Sequence, residues 1–421
     1  MKTLIFIAIA LLSGVAAASE FTSLTGVNEL CLTTSEIGQK FGIEYSKSDL
    51  KAEKKLCSMD FYSSELQYKK KGVKYSLAVC PKLKNTSPAL EVFAVDSDLT
   101  KEQFLNEECS KVQKRGSKLA KYKVSTSCSY TPSILGYYHF SRLLNIGQVP
   151  VGVLRSVDKS FHIAQAELGV KYTAHMSGWL PKNWSTLLKQ LNNGRERITH
   201  IDGDKSYGAL VQNPKGEELY RDLYGSGVSG YTKHALAKLA KKRGGIEKQF
   251  SKTFSNLPKL FALKDYTDML IVDGILSQFD RYGNVDYWKY YYYKEAGELV
   301  RKKYKEGRPE VDAAMNAKGA IVLKRMLLKD NDCGIAFRNR TLDDKALKKI
   351  RHFSKESFER LKNLVGLLSN PEFISWLSID LQFSQKDIAL VQANAKTVFE
   401  LINSGVESGK VKLDLNPEDF N

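Results

Sequence analysis

"SQFDRYGNVDYW" (Ser277–Trp288) places an Asp-Arg pair, a Gly-Asn pair and a further acid inside an aromatic-rich segment. Two structures accommodate it. In the first, Gly-Asn reverses the chain between strands and Asp-Arg is an ordinary ion pair. In the second, the segment is a catalytic loop. "LKDYTDMLIVDGILSQF" (Leu263–Phe279) leads straight into it, with Met269, Val272, Leu276 and Phe279 at helical spacing. A helix there holds the backbone of Asp280 rigidly, and a hydroxyl nucleophile needs a carboxylate within hydrogen-bond reach to take its proton. Arg281 would pin the loop or offset negative charge. Asn284 and Asp286 each offer a hard oxygen to Mg2+ or Mn2+. On these residues alone the turn is the simpler reading.

A second acidic segment alters the balance. In "LLKDNDCGIAF" (Leu327–Phe337), Asp330 and Asp332 follow an apolar run and precede Gly334. Asp-Asn is common turn chemistry. Yet a strand that delivers an acid just before a Gly turn is also how kinases place their main metal-binding Asp. The order, base loop first and metal Asp about 50 residues later, is the order phosphoryl transfer uses. A third segment offers cations. "RGSKLAKYKV" (Arg115–Val124) has a Gly116-Ser117 turn before a strand that puts Lys121 and Lys123 on one face. The turn would let backbone N–H groups approach phosphates, and one lysine would reach the α- and β-phosphates. A basic edge strand is the plain alternative.

Composition sets the frame. The chain has 421 residues, of which 43% are hydrophobic and 26% charged, enough for a substantial core in two or three units. Lys2, the apolar run Leu4–Leu12 and the small residues Ala16–Ala18 read as a secretory signal peptide over residues 1–18. The mature protein is therefore expected to be secreted or periplasmic. No later segment has about 18 uninterrupted apolar residues, so no transmembrane segment is expected in the mature chain. Five of the six cysteines (Cys31, Cys57, Cys80, Cys109, Cys128) lie in the first third. Export permits disulfides among these five, and the distant Cys333 is expected to be free. The net charge is +17, but the basic runs Lys69–Lys71, Lys241–Arg243 and Arg301–Lys303 are scattered. They read as solvated faces, and with no nucleic-acid motif no nucleic-acid partner is expected.

Local patterns give an α+β chain. Residues 19–70 read as short helices and loops around Cys31 and Cys57. Tyr75–Pro81 and Leu90–Val95 form a hairpin across "KNTSP", a helix covers Leu99–Lys114, and Gly116–Ser125 is a strand. "TPSILGYYHFSRLL" (Thr131–Leu144) is a helix with Thr131 as N-cap and Pro132 at its first position. Val149–Val157 is a buried strand. The second half is mainly helical, with strand-like runs in Gly319–Phe337. Asn370-Pro371 breaks two helices, Ser384 with Asp387 forms a capping box, and "DLNPEDFN" is a frayed tail. "YGSGVSG" (Tyr224–Gly230) reads as a loop and His139 as a core residue. Tyr290–Tyr293 read as alternating between strand faces. Sequons stand at Asn85, Asn183 and Asn339.

Taken in order, the basic strand, "YYHFSRLLNIGQVPVGVLRSVD", "DMLIVDGILSQFDRYGN" and "LLKDNDCGIAF" resemble the secretory-pathway kinases related to the Golgi casein kinase. Phosphoinositide 4-kinases, HipA-type kinases and CotH kinases are more distant relatives of that group. Tyr138, Arg142, Leu143, Leu144, Val149 and Pro150 match its helix and following strand, and the resemblance spans roughly residues 75–340. It implies a two-lobed atypical protein-kinase-like fold that uses ATP with Mg2+ or Mn2+. The units would be an N-terminal cysteine-containing extension (19–70), a β-rich lobe (71–157), a mainly helical lobe (158–413) and a tail (414–421). It implies Asp280 as the catalytic base, Asp332 as the metal Asp and Asn284 as the loop ligand. Lys123, with Lys121 second, would be the phosphate lysine. The acceptor would be a hydroxyl of a protein, glycan or lipid.

The chain departs from the family pattern in three places. "TPSILG" lacks the acid that pairs with the lysine, for which Glu107 or Glu108 would substitute. Tyr282 stands where a His is usual, and Asn284 lies four residues after Asp280 instead of five. A non-catalytic pseudokinase-type binding protein and a kinase-fold AMP transferase therefore stay open as rivals.

Overall fold

The computed structural model describes residues 19–70, 72–146, 148–193, 201–220, 235–281, 284–304 and 306–420. The leader, the "YGSGVSG" segment and Tyr282 lie outside them. In the first half the strands are β1 (Ser19–Thr22), β2 (Asn28–Leu32), β3 (Tyr68–Lys70), β4 (Val73–Tyr75), β5 (Leu77–Pro81), β6 (Leu90–Ala94), β7 (Ser117–Lys123), β8 (Gly152–Asp158), β9 (Ile201–Asp202) and β10 (Lys205–Gln212). The helices among them are α1 (Ser35–Lys40), α2 (Lys47–Cys57), α3 (Lys101–Glu108), α4 (Thr131–Leu143), α5 (Lys159–Thr173) and α6 (Trp179–Asn193). An antiparallel sheet runs β1-β2-β8-β10-β7-β6-β5, with β9 paired to β10, while β3 and β4 form a separate hairpin. Strand pairing thus joins residues on both sides of positions 70 and 157.

The second half holds β11 (Glu218–Leu219), β12 (Val285–Glu295), β13 (Glu298–Lys303) and β14 (Ile321–Leu328) in a smaller antiparallel sheet. Its helices are α7 (Ala235–Ala240), α8 (Leu257–Ile275), α9 (Pro309–Ala317), α10 (Arg340–Asp343), α11 (Lys355–Leu367), α12 (Pro371–Ile379) and α13 (Gln385–Glu407). The α+β class and the two-lobed layout, with a sheet-rich first half and a mainly helical second half, are as expected. α8 is buried along nearly its whole length against β14, α13 and α4, so it serves as the rigid spine for whatever follows it. Ser384 and Asp387 form the capping box that starts α13, and Asn370 caps α12 through its side chain. Tyr290 and Tyr292 join the main core, while Tyr291 and Tyr293 pack with Met315 on the other face of β12. Among the described residues no helix is long and apolar enough to cross a membrane.

Several expectations need correction. Residues 19–32, read as helices and loops, include β1 and β2, which complete the main sheet beside β8. Tyr130, not Thr131, is the N-cap of α4, and the Thr131 amide is satisfied by Ser125 Oγ at 3.0 Å. α3 stops at Glu108, whose carboxylate accepts from the Arg115 amide at 3.0 Å as the chain turns back. The tail is not frayed: Leu415 and Phe420 are 0% and 2% exposed. Cys333 is not free. It bonds to Cys128 across a separation of 205 residues, beside Cys31–Cys57 and Cys80–Cys109. The reason is the chain path, since the Tyr130 amide donates to the Asp332 carbonyl at 3.0 Å and so brings the two cysteine segments together. Three disulfides suit an oxidising compartment.

Candidate active site

β7 sets the first groups. Its register pairs Lys121 with Val211 and Lys123 with Ala209 on β10, so the two lysines share one face. Tyr122 points the other way, where its hydroxyl donates to the Ser206 carbonyl at 2.6 Å. On the lysine face the chain leaving β14 arrives as Lys329-Asp330-Asn331-Asp332. Lys123 Nζ meets Asp332 Oδ2 at 2.9 Å and Asp330 Oδ1 at 3.1 Å. Lys121, Lys123, Ile134, Val211, Asp330 and Asn331 line one cleft.

The 329–335 segment is held by α4 and by the loop after α8. Ser133 Oγ donates to the Asn331 carbonyl at 2.7 Å, and a Cβ on Gly334 would stand 2.7 Å from the Leu276 carbonyl oxygen. Only glycine fits there. Arg281, 2% exposed, ties the opening motif to the same segment. Its guanidinium donates to Asp273 on α8 at 2.9 Å, to Asn331 Oδ1 at 2.8 Å and to the Lys329 carbonyl at 3.0 Å. Tyr137 on α4 donates to Asp273 as well, at 2.7 Å. Arg281 thus pins the loop. The Phe279 amide donates to the Cys333 carbonyl at 2.9 Å, so Asp280 is flanked on both sides by residues tied to the Asp332 segment.

The electrostatics agree with that placement. Burial, then the charges of Asp332 and Asp330, push the Asp280 carboxyl above its usual range, with Arg340 and Arg281 opposing. Lys123, with Lys121 and Lys82 behind it, holds Asp330 well below the usual carboxylate range. Burial opposes the charge on Lys123, but Asp332 and Asp330 together keep it above the ordinary lysine value.

Asp280, Lys123, Lys121 and Asp332 therefore converge. Asn284 closes the Asp280 turn, where its Nδ2 donates to the Asp280 carbonyl at 2.7 Å and leaves its own oxygen as an acceptor. Asp286 does not: it lies on β12 and is engaged in an ion pair with Lys329. Gly116 and Ser117 are not brought to the cleft either. They begin β7, about 20 Å from Lys123 at strand rise, where Gly116 packs against the Ala94 carbonyl and Phe104. Glu107 and Glu108 do not pair with Lys123. Asp330 does so instead, and Glu108 bonds Lys111 at 2.9 Å. His139 is a core residue, bonded to Thr34 at 2.7 Å and Tyr45 at 2.6 Å, and burial lowers it to about 3.

Among the described residues no group of three His, Cys, Asp or Glu forms an all-protein metal cage. The donors fit Mg2+ or Mn2+ differently. Asp332 and the Asn284 oxygen are hard ligands, and Mg2+ is commonly held by one or two carboxylates together with substrate phosphates and water.

No protein-family profile and no curated protein matches the chain. Among solved structures it is similar to the Golgi casein kinase and to the Golgi casein kinase with Mn/ADP bound. The identities are 12% and 11% and the TM-scores 0.47 and 0.46, over 90% of this chain and 85% of each of those. At that level the reading of the site rests on its own side chains.

One basic residue near the cleft escaped the sequence. Lys82 follows β5, one residue beyond the rung that aligns Pro81, Leu90 and Tyr122; it is 6% exposed and lies in the field of Lys123, Lys121, Asp330 and Asp332. Its neighbours "PKLKN" carry only turn signals, and nothing local marks it. Asp330 was visible as an acid, but its role as the partner of Lys123 depends on a contact across 207 residues.

Proposed function

We propose that the protein is an exported ATP-dependent phosphotransferase that moves the γ-phosphoryl group to a hydroxyl of a protein, glycan or lipid. What supports this reading is that Asp332 bonds Lys123 while Phe279 and Arg281, on either side of Asp280, are both tied to the Asp332 segment. Asp280 is the general base. Its raised pKa suits a carboxylate that must hold a proton transiently. As it takes the hydroxyl proton, the acceptor oxygen bonds to the γ-phosphorus, the bond to the bridging β,γ-oxygen breaks, and ADP leaves. Lys123, fixed by Asp330 and Asp332, orients the phosphates. Asp332 and Asn284 would hold a divalent metal, which when bound neutralises charge on the β- and γ-phosphates. Asp286 has no place in this reading, because Lys329 occupies it.

The test is transfer of label from ATP carrying it on either the γ- or the α-phosphate, with Mg2+ or Mn2+ and candidate acceptors. γ-Label transfer abolished by Asp280→Ala and by Asp332→Ala supports the proposal. Transfer of α-label instead replaces it with AMP transfer. Absence of metal-dependent ATP binding would sink every nucleotide reading.

A further inference from the structure

Lys82 poses an energetic problem. It is 6% exposed, and its backbone is fixed at both ends of the peptide unit. The amide donates to the Ala89 carbonyl at 2.9 Å, and its carbonyl accepts from Trp184 Nε1 on α6 at 3.1 Å. Asn183 Nδ2 braces the same turn through the Thr86 carbonyl at 2.7 Å. Yet among the described residues the Lys82 ammonium has neither a hydrogen bond nor an ion pair. The same holds for Lys121.

The neighbouring charges are already spoken for. Asp330 and Asp332 are both bonded to Lys123. Glu91, the carboxylate on the adjacent strand, pairs with Lys118 at 3.2 Å and Lys114 at 3.5 Å. The Lys82 stem is buried, while its Nζ and that of Lys121 keep contact with solvent. Burial, with Lys123 and Lys121 next, depresses Lys82 to about 8 against the pull of Asp330 and Asp332.

We infer that Lys82 and Lys121 together form an anion site for the terminal phosphates of a nucleoside di- or triphosphate, with α6 holding the 82–89 turn that delivers Lys82. This rests on the reading of the cleft as a nucleotide site. Lys123, paired with two carboxylates, orients the phosphates but adds little net charge, while Lys82 and Lys121, bonded to no carboxylate, supply the excess positive charge. The site discriminates by phosphate number, so a monophosphate gains little from it.

The experiment uses the full mature chain and follows binding of inorganic tripolyphosphate, ADP and AMP by calorimetry, together with thermal unfolding. Lys82→Met is expected to keep or raise the unfolding midpoint. It should weaken tripolyphosphate and ADP roughly tenfold to a hundredfold, the worth of a charge-assisted hydrogen bond, and leave AMP nearly unchanged. Lys121→Met should weaken tripolyphosphate and ADP likewise, and Lys82→Arg should restore part of the loss. Trp184→Phe, which removes the indole donor together with part of a buried ring, should weaken ADP by a smaller factor. Unchanged tripolyphosphate and ADP affinity in Lys82→Met overturns the inference. So does a lowered midpoint with intact affinity, or no tripolyphosphate binding by the unaltered protein. If tripolyphosphate binds through Lys82 but ADP does not, the anion site stands and the nucleotide reading falls.

Discussion

Lys123 and Lys82 lie within each other's field and are treated oppositely by their surroundings. Burial works against both ammonium groups, but only Lys123 has carboxylates in contact. Removing one member of a buried pair strands the other. Lys123→Ala leaves Asp332, whose side chain is 7% exposed, beside Asp330 without its bonded cation. A loss of about 3–5 kcal/mol is expected, read from denaturant unfolding; a loss below ~1 kcal/mol would show that the pair is well solvated. Asp280→Asn should behave differently. Its side chain is exposed, and it repels Asp332 and Asp330. Stability should hold or rise slightly, while phosphoryl transfer falls at least about a hundredfold, the usual share of a general base. Unaltered turnover in that variant would remove Asp280 from the chemistry.

A third residue makes a pH prediction away from the cleft. Asp380, at the end of α12, is 6% exposed, and burial lifts its carboxyl to about 6. Its unfolded value is about 3.9. The folded state therefore binds more protons than the unfolded state between these limits, and stability falls as pH rises from about 4 to about 6. Asp380→Asn should gain on the order of 1–2 kcal/mol at neutral pH, with the gain vanishing near pH 4. An equal effect at both pH values would contradict the assignment.

Among the elements, α4 and α6 act on the cleft through single contacts. α4 is buried on nearly every side, which is why a search for an amphipathic face does not anticipate its position. It meets the Asp332 segment through Ser133 and the α8 spine through Tyr137. α6 braces the 82–89 turn, and it is seated on α5 by Trp184 against Gly169. A Cβ on Gly169 would overlap the indole, a rigid ring with nowhere to go. Gly169→Ala is expected to cost about 1–3 kcal/mol and to weaken ADP binding as well, because it displaces the donor to the Lys82 carbonyl. Thermal unfolding and ADP titration check both; a destabilised variant with normal ADP affinity would uncouple α6 from the turn.

For the molecule as a whole, the Cys128–Cys333 bond links the loop before α4 to the residue after Asp332. It closes a loop of 205 residues, and such cross-links typically contribute roughly 2–5 kcal/mol by restricting the unfolded chain. The double variant Cys128→Ser, Cys333→Ser should unfold at a lower temperature by a corresponding amount. If its midpoint matches that of the intact protein, the bond is not made in solution.

Much was legible without coordinates. The helix leading to Asp280, the hairpin of β5 and β6, the strand that places Lys121 and Lys123 on one face, and the capping box of α13 all follow from periodicities and caps that act over a few residues. So does the order of Asp280 before Asp332. Tertiary structure decided the rest. It joined β1 and β2 to the sheet, buried the tail, bonded Cys333, and left Gly116 and Ser117 at the far end of β7. It also gave Lys123 to Asp330, took Asp286 away to Lys329, and set Lys82 beside them without a partner. Each of these depends on which distant segments meet. Side-chain pattern carries the information for a turn of helix or a strand, but the pairing of charges 207 residues apart is written only in the path of the folded chain.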